Sequence, residues 1–426
     1  MEKRENLSFK PPFFHKFSIF EKYFVFFPIS GSLIEVDEET YLKLDEKDEI
    51  KEPFFIEEEE IWKKQEFKFD PPQNLKSLCL LISQSCNFKC DYCFVNEGKY
   101  NEKESLMEKD IAFKAVDFLI ENSKTKHVEI DFFGGEPLLN WKVVKETIDY
   151  GYKKAKEYEK KLRFSLTTNG YLLDDEKISF LIENNVSLII SLDGPKEVND
   201  SHRKLKNGDG TFDLIFDKIK KLIDYEGYYI RGTFTNKTKE IFKSAKFLYE
   251  NGFHNISLEP VILEKGNPLY INEIDIEKIK NEYEKLGKYI YEEKLKGNKL
   301  NFYHFNVDLS QGPCLGKMSF GCGAGVEYLA VDSKGDLYPC HFLKEFKEFK
   351  IGNLYDGIDL DKKDYFIELN KIDSKEKCRS CWAKYLCGGG CIAHFYFLNK
   401  DPKIPRDEFC ELQKKRLEIA LFLNSI

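Results

Sequence analysis

Leu78-Cys79-Leu80-Leu81-Ile82-Ser83-Gln84-Ser85-Cys86-Asn87-Phe88-Lys89-Cys90-Asp91-Tyr92-Cys93 is a short apolar run that ends in a polar loop bearing three cysteines. The run has the length and composition of a buried strand. The loop has the spacing C-x3-C-x2-C. Three thiolates so spaced can hold three irons of a [4Fe–4S] cluster, which leaves the fourth iron open to a small molecule. Structural zinc is the competing reading, and it wants four closed ligands, commonly as paired C-x2-C. Cys79 is the nearest fourth thiol, but it stands inside the apolar run and reads as a core residue.

The chain of 426 residues holds 12 cysteines in two groups, four in 79–93 and eight in 314–410. Core filling alone would not empty the stretch between. At 42% hydrophobic and 33% charged, the chain can bury a core and is not disordered. Its length implies two or three domains. A net charge of -8 gives no electrostatic ground for nucleic acid. No apolar run approaches a membrane span, and Met1–Asn6 lead into Pro11-Pro12 without a signal-peptide core. The expected location is cytoplasmic. Thiols stay reduced there, so grouped cysteines point to metal or catalysis.

Residues 1–70 read as a small module. Phe14–Phe20, Tyr23–Phe27 and Ser32–Val36 are strand-like, a helix opens at Asp37, and another is expected near Glu57–Glu66. Asp70–Asn74 reads as a linker. Residues 75–300 alternate short strands with helices. The strands are Leu78–Ser83, Val128–Phe133, Arg163–Thr167, Val186–Ser191, Tyr228–Thr233 and Ile256–Pro260. Six βα units in a row predict an α/β fold with a parallel sheet, a partial (β/α)6 barrel of TIM type, too few to close an eight-stranded barrel. In 301–426 Gly and Cys become dense and regular structure thins, until a closing helix at Asp407–Leu423.

Polar motifs follow the strands in order. They are Gly134-Gly135-Glu136-Pro137, Thr168-Asn169-Gly170, Ser191-Leu192-Asp193-Gly194, Arg231 within the fifth strand, and Glu259-Pro260-Val261. Each alone is an ordinary turn. Together they line the C-terminal ends of the strands, where parallel barrels build sites. With the cysteine loop, this order resembles the radical S-adenosylmethionine (radical SAM) superfamily. The resemblance implies that Cys86, Cys90 and Cys93 ligate a [4Fe–4S] cluster beside Tyr92. It implies that Gly134, Gly135, Glu136 and Pro137 meet the methionyl ammonium of S-adenosylmethionine. Thr168, Asn169, Ser191, Asp193 and Arg231 would hold its ribose and carboxylate, and Val261 would pack on adenine.

Cys322, Cys340, Cys378, Cys381, Cys387, Cys391 and Cys410 follow a spacing that resembles the SPASM extension of peptide-modifying radical SAM enzymes. The resemblance implies two auxiliary [4Fe–4S] clusters, and three clusters in all. Cys322, Cys340 and Cys391 would ligate the first. Cys378, Cys381, Cys387 and Cys410 would ligate the second. Cys314 either completes the first or leaves an iron open for a substrate thiolate. Paired zinc-ribbon sites are the plainer reading of Cys378 and Cys381 taken alone.

Gly312-Pro313-Cys314, Gly321–Gly325, Gly335–His341 and Cys378–Ala383 resemble the maturases of six-cysteine (SCIFF-type) precursor peptides. That likeness implies a thioether-forming enzyme. A 5′-deoxyadenosyl radical would remove a hydrogen from a cysteine-rich ribosomal peptide, and a cysteine sulfur would bond to the carbon. Residues 1–70 would be a winged-helix-like module that binds the leader peptide as an added strand. A low-potential ferredoxin or flavodoxin would supply electrons. The alternative is another peptide- or protein-modifying type, such as the formylglycine-forming sulfatase maturases. Those typically carry aspartate just after the cysteine matching Cys340, where this chain has His341. A non-catalytic iron–sulfur electron carrier is a further alternative, but it would not need the strand-end motifs.

Overall fold

The computed structural model describes residues 14–44, 74–309 and 320–426. The helix expected near 57–66, most of the linker at 70–74, and Cys314 lie outside them. Contacts divide the chain into two units: 1–71 with 272–322 and 368–426, and 72–271 with 323–367. These differ from the three consecutive spans read from the sequence.

In the first unit, β1 (His15–Ile19), β2 (Lys22–Phe26) and β3 (Leu33–Val36) form an antiparallel meander. Phe20 and Glu21 both take positive φ, the geometry of a tight two-residue hairpin. Asp37 caps the helix Glu38–Lys43 by accepting from the Thr40 N–H at 2.7 Å. On one face of the sheet, Phe14, Val25 and Phe27 cluster with Val36 and Leu44. On the other, Phe24 and the β1–β2 turn meet Phe422 of the closing helix Asp407–Asn424, with ring centroids 5.1 Å apart at Phe20 and 6.0 Å at Phe24. His15 stacks on Trp382 at 3.9 Å, which ties the sheet to the cysteine-rich segment. The long helix Glu273–Leu295 starts with a capping box at Asn272 and Asp275. It lies along the closing helix, where a methyl group on Gly287 would come within 2.6 Å of Ile419.

The second unit is the expected α/β barrel segment. β4 (Ser77–Gln84) carries a two-residue antiparallel partner, β5 (Ser105–Leu106). β6 (His127–Gly134), β7 (Lys161–Thr168), β8 (Ser187–Ser191), β9 (Tyr228–Phe234) and β10 (Asn255–Pro260) follow in parallel, each beside its predecessor, with β6 against β4. Leu78, Leu80 and Ile82 of β4 are fully buried, as are Ala112, Ala115, Val116 and Leu119 of the helix Lys109–Asn122. The sheet continues beyond the sequence expectation. Tyr328–Val331 lies parallel against the other side of β4, and Asp336–Tyr338, Gly352–Asn353 and Gly357–Ile358 extend it antiparallel. Four residues or fewer per strand leave no readable periodicity, which is why this part read as irregular. Among the described residues no helix is long and apolar enough to cross a membrane.

Candidate metal centre and active site

The cysteine loop begins where β4 ends, and backbone packing sets its position. Gly134 and Gly135 press against Ser83–Ser85. A Cβ on Gly134 would fall 2.1 Å from the Ser83 carbonyl oxygen, and one on Gly135 would fall 2.3 Å from that of Ser85. The N–H groups of Gly135 and Glu136 donate to these same carbonyls at 2.8 and 2.9 Å. Only glycine permits this approach. The motif after β6 therefore fixes the residue just before Cys86.

The outer side of the loop lies along residues 202–205. Lys89 N–H donates to the Lys204 carbonyl at 2.8 Å, and Asp91 N–H to that of His202 at 3.0 Å. Within the loop, Cys93 N–H closes a turn on the Cys90 carbonyl at 3.1 Å. Phe88 N–H points at Cys86 Sγ from 3.4 Å.

Glu136 is fully buried. Its carboxylate accepts from Leu138 N–H at 3.0 Å, Thr168 Oγ1 at 2.8 Å and Asn169 N–H at 2.8 Å. Burial pushes this carboxyl up to about 7, with the two N–H donors opposing. Glu136 thus joins the loop after β6 to the loop after β7. Asn169 Nδ2 in turn donates to Asn87 Oδ1 at 2.8 Å and lies 3.8 Å from Cys86 Sγ. Pro137 opens a short 3-10 turn, Pro137–Asn140, behind the motif.

Asp193, after β8, is equally committed. Oδ1 accepts from Arg203 Nε at 3.0 Å and from Thr233 N–H at 2.8 Å. Oδ2 accepts from the Tyr92 hydroxyl at 2.6 Å. Ser191 ends β8, and Val261 is buried just after β10. Arg231 is exposed on β9, and its charge acts on Asp131, whose carboxyl burial pushes up to about 6. Arg203 escaped the sequence reading. Its guanidinium lies 5.5 Å from the Tyr92 ring and holds Cys90 toward ionisation. A buried arginine ten residues beyond Asp193 has no sequence signal except that spacing.

Cys86, Cys90 and Cys93 are thiols outside any disulfide. Burial pushes the thiols of Cys86 and Cys90 up to about 12, so by themselves they stay protonated. Bound metal is what ionises such thiols. The surroundings match an acceptor-rich group at this place. Two buried donors are without partners, Asn87 Nδ2 next to Cys86 and the Tyr100 hydroxyl, and Tyr100 packs in the same apolar cluster as Cys93. An unpaired buried donor costs about 1–3 kcal/mol, which thiolate or sulfide acceptors would relieve. The three cysteines therefore fit a cluster, and the strand-end loops fit a ligand above it.

Cys340 follows the strand Asp336–Tyr338 in the same unit. Its neighbour His341 accepts or donates at Nδ1 with the Tyr328 hydroxyl at 2.9 Å, and its ring lies 4.4 Å from that of Phe133.

In the first unit, the structure brings Cys378, Cys381, Cys387 and Cys410 into mutual electrostatic range. Burial pushes Cys378 up to about 11 and Cys410 up to about 12, and the neighbouring cysteines push the same way. Cys378 lies within the short helical turn Glu376–Arg379, Cys387 ends the turn Lys384–Cys387, and Cys410 sits on the first turn of the closing helix. Gly388, Gly389 and Gly390 all take left-handed φ between Cys387 and Cys391. They press on Gly321, where a Cβ would fall 2.7 Å from the Gly388 carbonyl oxygen. This packing carries Cys391 and Cys322. Among the described residues no three His, Cys, Asp or Glu side chains converge on a single metal ion. The cysteines are grouped but not closed on one centre.

Comparison with known proteins agrees with this geometry. The Radical SAM superfamily matches residues 80–234, and the SPASM iron-sulfur cluster-binding domain matches residues 322–382. A cysteine-type anaerobic sulfatase-maturating enzyme of Clostridium perfringens is 29% identical, covering 80% of this chain and 96% of its own. The radical SAM cyclopropyl synthase TigE of Paramaledivibacter caminithermalis is 28% identical over 52% of this chain and 48% of its own. The solved structure of native anSMEcpe with bound AdoMet and the Kp18Cys peptide superposes with a TM-score of 0.70 at 26% identity, covering 83% of this chain and 99% of that one.

Proposed function

As a radical SAM protein with a SPASM domain, the chain is an enzyme of radical chemistry, and we propose that it modifies a residue within a peptide or protein. The observation that carries this is the joint fixing of the cysteine loop by Gly134–Gly135 and by Asp193, with buried unpartnered donors at Asn87 and Tyr100 nearby. The relatives support a polypeptide substrate, since anSMEcpe is solved with a peptide.

Cys86, Cys90 and Cys93 would hold the radical cluster, and the loops at Gly134–Pro137, Thr168-Asn169, Ser191 and Val261, with Arg231, would receive S-adenosylmethionine. When bound, the cluster and S-adenosylmethionine together supply one-electron cleavage and hydrogen abstraction from substrate carbon. The chain's own work is positional. Glu136 locks two of the loops to each other. Tyr92 and Arg203 lock the cysteine loop to Asp193. Close backbone packing at Ser83–Ser85 holds the start of the cysteine loop in place. Cys322, Cys340 and Cys391, with Cys314 or a substrate thiolate, would hold a first auxiliary cluster. Cys378, Cys381, Cys387 and Cys410 would hold a second. Residues 1–70 would bind a leader segment, and a ferredoxin- or flavodoxin-type donor would supply electrons.

The adopted finer chemistry is oxidation of a cysteine to formylglycine. Its support is the likeness to cysteine-type sulfatase-maturating enzymes over most of both chains. Thioether formation is the second reading. It is favoured by His341, packed on the apolar Phe133 ring where the formylglycine-forming enzymes typically place aspartate.

The test is anaerobic reconstitution followed by turnover with S-adenosylmethionine and a reductant. One substrate is a cysteine-bearing sulfatase-type peptide, the other a cysteine-rich precursor with its leader. An aldehyde captured by hydrazide, with release of sulfide, supports the first chemistry. Loss of two hydrogens and one free thiol supports the second. Production of 5′-deoxyadenosine by a Cys86→Ala, Cys90→Ala, Cys93→Ala triple variant would sink the whole assignment.

A further inference from the structure

Lys375 has no exposed surface. Its Nζ donates to the carbonyls of Asn370 at 2.9 Å and Lys371 at 3.2 Å. Among the described residues it pairs with no carboxylate. A buried ammonium without a counter-ion is strongly unfavourable, so a negative charge belongs nearby.

Cysteine sulfur is the source of negative charge that acts on it most. Cys378 N–H donates to the Lys375 carbonyl at 2.9 Å, which sets that cysteine one turn away. Gly389, midway between Cys387 and Cys391, lies over the ammonium: a methyl group there would sit 3.5 Å from Nζ. Gly388 and Gly390 close on Gly321, the residue before Cys322. Burial lowers the affinity of Lys375 for its proton, and the groups that oppose this are Cys378, Cys387, Cys322 and Cys391, in the ionised form that a bound cluster imposes. Two of these are assigned above to one auxiliary cluster and two to the other.

We propose that Lys375 is a positioning residue for electron transfer, a buried cation shared as counter-charge by the two auxiliary iron–sulfur clusters, which it makes easier to reduce. The inference rests on the cluster reading given above. Nearby positive charge stabilises the more negative, reduced form of a cluster, and net charge and hydrogen bonding are among the levers that set its potential. A third N–H of the ammonium remains for a sulfur acceptor, since two are used on carbonyls. A side chain at 389 would crowd Ile372, whose Cγ1 lies 3.1 Å from the place of a Cβ there, and would sit at a left-handed φ that favours glycine.

The experiment is redox titration of the reconstituted full-length enzyme, followed by electron paramagnetic resonance. Iron content is measured first. Lys375→Met should lower the potentials of both auxiliary clusters and leave the radical cluster unchanged. Lys375→Arg, which keeps the charge, should restore both toward wild type. Unchanged auxiliary potentials in iron-replete Lys375→Met overturn the proposal, and so does a shift in one cluster alone. If Lys375→Met fails to take up iron, Lys375→Arg decides: potentials near wild type support the proposal, and a fall as large as expected for loss of the charge overturns it. Wild-type protein that builds no auxiliary clusters defeats the cluster reading itself, which is a separate outcome.

Discussion

Tyr92 and Asp193 are joined by a 2.6 Å hydrogen bond across 101 residues of sequence. The phenol donates and the carboxylate accepts. Arg203 Nε completes the group at 3.0 Å on the other carboxylate oxygen, with both side chains buried. The cysteine loop is therefore anchored by a charged pair as well as by its own turns.

Arg203→Ala should destabilise the protein by about 3–5 kcal/mol, because it leaves the Asp193 charge buried without its partner. Tyr92→Phe should cost less, about 1.5–3 kcal/mol, the range for one hydrogen bond to a charged group. Urea unfolding of the apoproteins measures both. Equal losses would contradict the argument that the ion pair is the stronger anchor.

The pH dependence of stability should report Glu136. Burial pushes its carboxyl up to about 7 from an ordinary 4.5. The folded chain thus holds this proton more tightly than the unfolded chain does. The resulting stabilisation is full below about pH 4.5 and fades as pH rises through about 7, with an upper bound of about 3 kcal/mol. Glu136→Gln removes the titration. Unfolding free energies of the ligand-free proteins at pH 5 and pH 8 should show wild type losing ground to the variant. A difference that does not move with pH contradicts this.

Gly135→Ala should displace the cysteine loop. The new methyl would lie 2.3 Å from the Ser85 carbonyl oxygen and 3.1 Å from Cys86 Cβ. Both are backbone or short side-chain atoms that cannot step aside. The expected outcome is loss of about four of about twelve irons after reconstitution, with the auxiliary signals retained. Full iron content would show that the loop tolerates the methyl group.

Lys344 is buried, with Glu102 at 3.0 Å and Asp332 at 3.7 Å. Lys344→Met should cost about 3 kcal/mol or more, since it leaves Asp332 buried beside an apolar side chain. Glu102→Gln alone should cost less, because Glu102 is partly exposed and also pairs with Lys334 at 3.0 Å. The double variant should fall short of the sum of the singles, a non-additivity that a thermodynamic cycle measures directly.

The six barrel strands were legible because each is long enough to show its apolar character between helices of clear period. β6 was expected at Val128–Phe133 and runs His127–Gly134, an ordinary end effect. Asp174 caps the helix Asp175–Glu183 by accepting from Lys177 N–H at 2.9 Å, the ordinary task of an aspartate just before a helix. The cysteine groups were legible because thiol spacing survives without knowledge of the fold. Arg203, Lys344 and Lys375 were not legible. A charged residue in a polar stretch reads as solvated surface. What makes each of them matter is a partner that only the folded chain brings near, such as Asp193 for Arg203 or Asp332 for Lys344. The short strands after residue 327 were hidden for the same reason: their pairing with β4 is a long-range event.

That pairing has a consequence for how the protein is made. β4 carries the cysteine loop at its end, yet one of its two parallel neighbours, Tyr328–Val331, comes from far along the chain. While the ribosome is still translating the barrel, that side of β4 has no Tyr328–Val331 to pair with, and Glu102 has no Lys344. An open strand edge is a template for wrong pairing. Contacts so distant in sequence also form slowly. Iron inserted at that stage would meet an unfinished cradle. Cluster loading at the cysteine loop thus belongs after Tyr328–Val331 has paired with β4, and a truncation before residue 328 should yield protein that aggregates rather than a smaller working barrel.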